Sequence, residues 1–314
     1  MNDFFKDMDM GLRSDPKRLS SKYFYDDQGS RIFQEIMALA EYYLTNKEEE
    51  IFIKRSHEII EALKPLKALD VVELGAGDGS KTKLLLGELL RQHVITRFLP
   101  IDISAEALVS LERTMRNDLP SLQVNALVGD YHDVMDELEV EAPTRLFLFL
   151  GSNIGNYPPP SNQELIRFVS SEMRVGDFLM LGADLRKHPA IIRKAYDDSQ
   201  GVTKRFNLNL LARMNRELGM NFIMDQWDFY CQYDPLNGEL RSFLVSLEDQ
   251  MAHCRPLNSD YHFTKNEVIW TELSKKYLLS ELEELGKGAG LTVISHFMDE
   301  DRYFSDSLFK KEEL

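Results

Sequence analysis

The sequence predicts an α/β fold in which a doubly wound, seven-stranded sheet is joined to a second α+β domain. Three observations carry this. Between residues 70 and 185, short apolar runs alternate with amphipathic stretches of helical spacing. The first apolar run continues into VVELGAGDGSKT (71–82), where a strand meets three glycines and then opens a helix. After Leu185 the alternation stops, and QWDFYCQYD brings in a strand of period two. Strands that are apolar throughout and alternate with helices imply a largely parallel sheet covered on both faces.

Taken in order, residues 9–65 read mainly helical. SRIFQEIMALAEYY places Ile32, Phe33, Ile36, Met37 and Leu39 at helical spacing, with Ser30 as its N-cap. NKEEEIFIKRSHEIIEAL predicts a second helix with an acidic first turn. LDVVELG, RFLPIDIS, LQVNALVGDYHD, TRLFLFLGSNIGN and DFLMLGADL then supply five strands with their exit loops. SKTKLLLGELLRQH, SAEALVSLERTMRND (capped by Ser104) and NQELIRFVSSEMRVG are the intervening helices. HPAIIRKAYDDSQGVTKRFNLNLLARMNRELG is helical with a break near Gly201. Trp227, Phe229, Cys231 and Tyr233 share one face of a half-buried strand, for which RSFLVSL and NEVIWTELS are partners. A helix at about 278–287 and the strands GLTVISHFM and YFSDSLF complete the sheet edge. The expected division is 66–186 with 284–314 for the sheet domain, and 9–65 with 187–283 for the second.

With 314 residues, 43% of them apolar and 28% charged, the chain reads as an ordinary globular protein. A net charge of −15 argues against a general binder of nucleic acid or anionic membrane, since both need a basic surface. Cys231 and Cys254 make neither a disulfide framework nor a zinc spacing, and the histidines show no metal-ligand spacing. The start, MNDFFKDMDMG, lacks signal-peptide features, so the expected location is the cytoplasm.

The glycine loop admits three ligands. A phosphate P-loop would need glycine where Ser80 stands, and Asp78 would set a negative charge inside the cradle. A dinucleotide fingerprint fits Gly75 and Gly77 but meets the same serine, and the acid it wants nearby is the rather distant Asp102. The third pattern is Glu73, Gly75, Gly77, Gly79, with Asp102 closing the second strand and Asp130 and Tyr131 following the third. Taken singly, each aspartate also reads as a helix cap. As a set, the pattern resembles the class I S-adenosylmethionine-dependent methyltransferases. That resemblance implies that Asp102 accepts from the ribose hydroxyls while Asp130 and Tyr131 hold and cover the adenine.

Beyond the loop, YFYDDQGSRIFQEIMALAEYY, ELGAGDGSKT, FLGSNIGN, AYDDSQGVTKRFNLNLLARMNRELG and TELSKKY together resemble the histidine Nα-methyltransferases of ergothioneine biosynthesis and related amino-acid N-methyltransferases, over nearly the whole chain. The resemblance implies that Gly75, Lys81, Asp102, Asp130 and Tyr131 bind S-adenosylmethionine. It implies that Tyr25 and Tyr42 line the acceptor pocket, and that Asn156 and Tyr196 bind the amino acid's carboxylate and amine. Glu272 and Ser274 would face its side chain. Asn156, Tyr25 and Tyr42 are expected to orient the amine while solvent takes the proton. The bland alternatives are core tyrosines, a turn asparagine after Gly155 and a surface glutamate. One departure stands out: where the histidine enzymes carry a methionine against the substrate ring, the ungapped position is Ser242, or Phe243 after a one-residue slip. Ser242 leaves the acceptor side chain open, whereas Glu272 favours histidine. The expected partner is a small amino acid, with no nucleic acid or membrane, and the expected state is a monomer. A module that binds the donor without catalysis and a nicotinamide oxidoreductase on the same fold are the readings from other classes.

Overall fold

The structure, a computed structural model, describes residues 3–63, 68–135, 138 and 143–313. The chain opens with α1 (Asp3–Arg13), α2 (Asp27–Met37) and α3 (Tyr43–Ala62). β1 (Leu69–Leu74), α4 (Thr82–Arg91), β2 (Ile95–Asp102), α5 (Ala105–Asp118), β3 (Gln123–Val124), β4 (Leu127–Val128), α6 (Tyr131–Val134) and β5 (Thr144–Phe149) follow. Next come α7 (Ser161–Glu172), β6 (Phe178–Asp184), α8 (Pro189–Tyr196) and α9 (Val202–Leu218). β7 (Trp227–Asp234), β8 (Glu239–Ser246), β9 (Gln250–Cys254), β10 (Ser259–Phe263) and β11 (Val268–Lys275) form a run of strands. α10 (Leu279–Lys287), β12 (Leu291–Met298) and β13 (Phe304–Lys311) end the chain.

Two compact units emerge, residues 44–186 with 275–314, and residues 1–43 with 187–274. The first holds a sheet of order β12-β13-β6-β5-β1-β2-β3, with β4 also paired to β2. β1 through β6 pair in parallel, while β13 runs antiparallel to both β6 and β12. The expected third strand is thus two short pieces along β2, and the edge is β12, with the last strand lying inside it. Successive strand residues face opposite sides. Leu69 and Val71 join one core with α3, α4 and α5, through Phe52, Ile59, Leu85, Leu89, Leu111 and Met115. Val72 and Leu74 join the other with α7 and α10, through Leu165, Val169, Leu282 and Leu285. A strand buried on both sides has no solvent-facing side to alternate with, which is why these runs read as largely apolar stretches.

The expected boundary near residue 65 falls instead after Tyr43, because Ile51, Phe52, Ile59, Ile60 and Leu63 all belong to the sheet's core. Residues 275–283 likewise fall with the sheet. α2 starts earlier than expected: Asp26 is its cap and accepts from Gly29 N at 2.7 Å, which leaves Ser30 inside the helix. Gly29 permits this, since a Cβ there would stand 1.7 Å from the Phe24 carbonyl oxygen. α3 also starts early, at Tyr43, where Tyr43 and Leu44 are buried, so its glutamates fall beyond the first turn.

The second unit carries an antiparallel sheet of order β11-β8-β7, a β9-β10 hairpin, and the helices α1, α2, α8 and α9. Along β8, Leu240, Ser242, Leu244 and Ser246 are buried and alternate with more exposed residues. Cys231 of β7 pairs with Ser242, and Tyr230 with Phe243. The two cysteines are free and buried. Among the described residues, no helix is long and apolar enough to cross a membrane.

Candidate active site

Parallel strands bring their carboxyl ends to one edge, and there the loops after β1, β2, β4 and β5 meet. After β1, Gly75, Gly77 and Gly79 all take positive φ, at 72°, 55° and 67°. Their surroundings differ. A Cβ on Gly77 would meet nothing within 4 Å, and one on Gly75 only the Asn153 amide at 3.8 Å. One on Gly79 would strike Met115 at 2.8 Å and Leu111 at 2.9 Å. Gly75 and Gly77 therefore leave an open cradle above the backbone, whereas Gly79 lets the loop close on α5.

Asp102 ties the cradle together. One carboxylate oxygen accepts from Gly77 N at 3.0 Å and the other from Ser104 N at 2.9 Å. Asp130 caps α6, accepting from His132 N at 2.9 Å, and it remains exposed. The helix-cap reading of Asp130 thus holds, and it leaves lone pairs for a ligand. Tyr131 shares a hydrogen bond with the Tyr157 hydroxyl at 2.6 Å, and burial with that bond pushes its phenol up.

Glu73 stands near the end of β1, two residues before Gly75. It is 4% exposed, accepts from the Thr82 hydroxyl at 2.6 Å, and burial pushes its carboxyl up to about 8. Lys81 pairs with Glu48 of α3, which is fully buried and also accepts from Gly151 N at 2.6 Å. Burial works to lower the Lys81 pKa, but the charge of Glu48 and its hydrogen bond raise it overall, so the amine stays cationic. Sequence reasoning missed Glu48, since an acid within NKEEEIF looks like any exposed helix charge. It also missed Asn153, whose amide lies against both Gly75 and Gly151; GSNIGN offers two asparagines and no local reason to choose between them. Asn156 closes the 3₁₀ turn Asn153–Asn156 after β5 and is half-buried. That turn is fixed by Ser152, whose hydroxyl accepts from Asp184 N at 2.9 Å, and by Gly155, which a Cβ would push into the Lys275 carbonyl.

The other predicted residues gather in the second unit. Tyr25, Phe33, Tyr42 and Tyr196 form a chain of edge-on rings with centroids 5.5–6.3 Å apart. The Tyr196 and Ser274 hydroxyls are hydrogen-bonded at 2.8 Å. The Ser242 hydroxyl lies 3.4 Å from the Glu272 carboxylate. Phe243 stacks with Tyr230 on the opposite face of β8, so Ser242 is the residue beside Glu272. Desolvation, then Glu272 and Tyr196, push the Tyr25 phenol up. Tyr25 remains 44% exposed. A phenol so shifted is neutral at pH 7 and serves as a hydrogen-bonding group.

From residue 4 to 311, the chain matches the family described as histidine-specific methyltransferase, SAM-dependent. The chain belongs to this family. It is 35% identical to a histidine N-alpha-methyltransferase of Mycobacterium tuberculosis (strain CDC 1551 / Oshkosh), over 98% of this chain and 94% of that one. A histidine N-alpha-methyltransferase of Mycolicibacterium smegmatis is 34% identical over 90% and 88% of the two chains. Ergothioneine biosynthesis protein 1 of Schizosaccharomyces pombe is 28% identical over 89% of this chain and 37% of that longer protein. The loop's chemistry suits the family's cofactor. Its lysine is already neutralised by Glu48 and three acids stand near, so the cradle offers a phosphate no net positive charge. Open glycines and ribose-competent carboxylates fit a nucleoside bearing a sulfonium and an amino-acid tail.

Proposed function

We propose that the protein methylates the α-amine of free histidine with S-adenosylmethionine as donor. The observation that carries this reading is the gathering of Tyr25, Tyr42, Tyr196, Ser242, Glu272 and Ser274, drawn from four separate stretches, into one ring-and-hydroxyl cluster in a chain of this family. When bound, S-adenosylmethionine supplies an electrophilic methyl carbon on a sulfonium sulfur. Gly75, Gly77, Lys81, Asp102, Asp130 and Tyr131 hold it, with Glu73 and Gly79 supporting the loop from below.

Asn156, Tyr196, Tyr25 and Tyr42 fix the amino acid's carboxylate and amine. Glu272, a partly buried carboxylate beside the Ser242 hydroxyl, accepts from the imidazole N–H. Orientation is the main contribution of these residues, since near-attack alignment is worth roughly 7–11 kcal/mol. Freeing an amine of pKa near 9 at pH 7 costs only about 2.7 kcal/mol, so solvent suffices as base. We read the enzyme as a cytoplasmic monomer without nucleic-acid or membrane partners, in line with its charge of −15. Its product would feed ergothioneine biosynthesis, the process named for its fungal relative.

One observation favours a second acceptor. Ser242, buried beside Glu272, occupies less volume than the methionine of the histidine enzymes, which suits a ring larger than imidazole. Competition of the twenty amino acids for methyl-labelled donor, with products located by mass spectrometry, tests both readings. Histidine methylated on its α-nitrogen is the expected product, and preferential turnover of tryptophan or of any other amino acid overturns the histidine assignment. In the same assay, Asn156→Ala is expected to raise KM and lower kcat; unchanged values would remove Asn156 from the site.

A further inference from the structure

Beneath the glycine loop lies a cluster that methyl transfer does not use directly. Asp306 of β13 is fully buried, and both of its carboxyl oxygens lack a hydrogen-bond partner among the described residues. Its cross-strand neighbour is Gly182 of β6. The point where a Cβ on Gly182 would stand is 3.0 Å from Asp306 Oδ1 and 2.6 Å from Glu48 Oε1, so the missing side chain makes a niche in which two carboxyls converge. The charged groups around this niche are Glu48 from α3, Lys81 from the loop and, on β1, Glu73. Three buried acids face one partly buried cation. If all were ionised, two negative charges would stand uncompensated away from water, an arrangement proteins avoid by retaining protons.

Geometry decides where those protons sit. Glu48 receives both the Lys81 ammonium and Gly151 N, so it is the acid provided with donors to its charged form. Burial, with Glu48 alongside and only Lys81 opposing, pushes the Asp306 carboxyl well up. An orphaned carboxyl beside a carboxylate is satisfied if it keeps its proton and donates it.

We propose that Asp306 is a positioning residue: as a neutral acid it donates its proton to Glu48 Oε1, and Glu48 in turn holds the Lys81 ammonium and the exit of β5 in place for the cofactor. The inference rests on the assignment of Lys81 to S-adenosylmethionine. Glu48 Oε1 has lone pairs for both Gly151 N–H and this proton. Asparagine at position 306 retains a donor of the same shape, whereas alanine removes it.

The test compares Asp306→Asn and Asp306→Ala with the natural enzyme in calorimetric titrations of S-adenosylhomocysteine. It is joined by infrared difference spectra of the free protein in the protonated-carboxyl region. Asp306→Asn is expected to keep its affinity, and Asp306→Ala to lose about tenfold, as for a hydrogen bond to a charged group. The natural enzyme minus Asp306→Asn should show one protonated carboxyl at neutral pH. Equal weakening in both variants, unchanged affinity in Asp306→Ala, or no such carboxyl band would each overturn the proposal. If the natural enzyme binds no S-adenosylhomocysteine, the functional reading fails, and the infrared band alone still decides the state of Asp306. Circular dichroism melts identify a variant that does not fold, and the difference spectrum is then taken against the variant that does.

Discussion

In the sheet unit, the wall assigned to the cofactor is largely backbone: Gly75 and Gly77 leave the space above their Cα atoms open, and the Asp102 carboxylate and the Lys81–Glu48 ion pair hold the loop in position. The wall assigned to the acceptor, in the other unit, is made of side chains, with rings edge to edge and two hydroxyl contacts. A backbone wall depends on charges buried behind it, because a loop of glycines has no side chains of its own to pack. A side-chain wall spreads its stability over many small contacts. Damage to the first should therefore be concentrated, and damage to the second diffuse.

Lys81→Met breaks this comparison most sharply. It strands the fully buried Glu48 without its cation, and removing one partner of a buried pair costs about 3–5 kcal/mol. A large fall in the circular dichroism melting midpoint is expected. Both tryptophans, Trp227 and Trp270, lie in the other unit, so a fluorescence melt reads that unit separately. A variant that melts with the natural protein would show that the pair supports nothing.

A smaller effect is expected from Glu73→Gln, read through pH. The folded carboxyl titrates at about 8 against 4.5 for the ordinary group, so the folded chain holds the extra proton between those values. Stability is then lost as pH rises through that window, at up to about 1.4 kcal/mol per unit. Glutamine keeps the oxygen that accepts from Thr82 and removes this share of the slope, which urea midpoints at about pH 5 and about pH 8 would register. Asp306, shifted in the same direction, leaves a residual slope. An unchanged slope would mean that Glu73 is ionised after all.

The smallest effect belongs to the side-chain wall. Tyr196→Phe removes one hydroxyl contact, to Ser274, worth about 1 kcal/mol in the fluorescence melt. It should also raise KM for histidine while leaving S-adenosylhomocysteine affinity alone. A loss as large as that of Lys81→Met would erase the contrast between the two walls.

The order in which these features became visible has a physical cause. The strand runs and the Ser104 cap were readable because both act over a few residues: a strand buried on two faces is mostly apolar, and a cap bonds three residues ahead. The start of α3 was misjudged because burial of Tyr43 and Leu44, a tertiary matter, overrode the local acidic signal. Ser242 and Phe243 were indistinguishable along the chain, since one residue of slip reverses the face of a strand; pairing with Cys231 and Tyr230 separates them. Asp306 gave no sign at all, because an acid within FSDSLF looks like a solvent-facing residue until its neighbours are known.

By itself, the sequence determined the alternating sheet, the open glycine cradle and the family, all of which rest on short-range pattern and backbone conformation. Only the tertiary structure decided which acids are buried together, which glycine packs and which faces bare, and which residue stands beside Glu272. Burial and electrostatic pairing are properties of groups that meet in space, here from α3, β6 and β13, and no local spacing encodes that meeting.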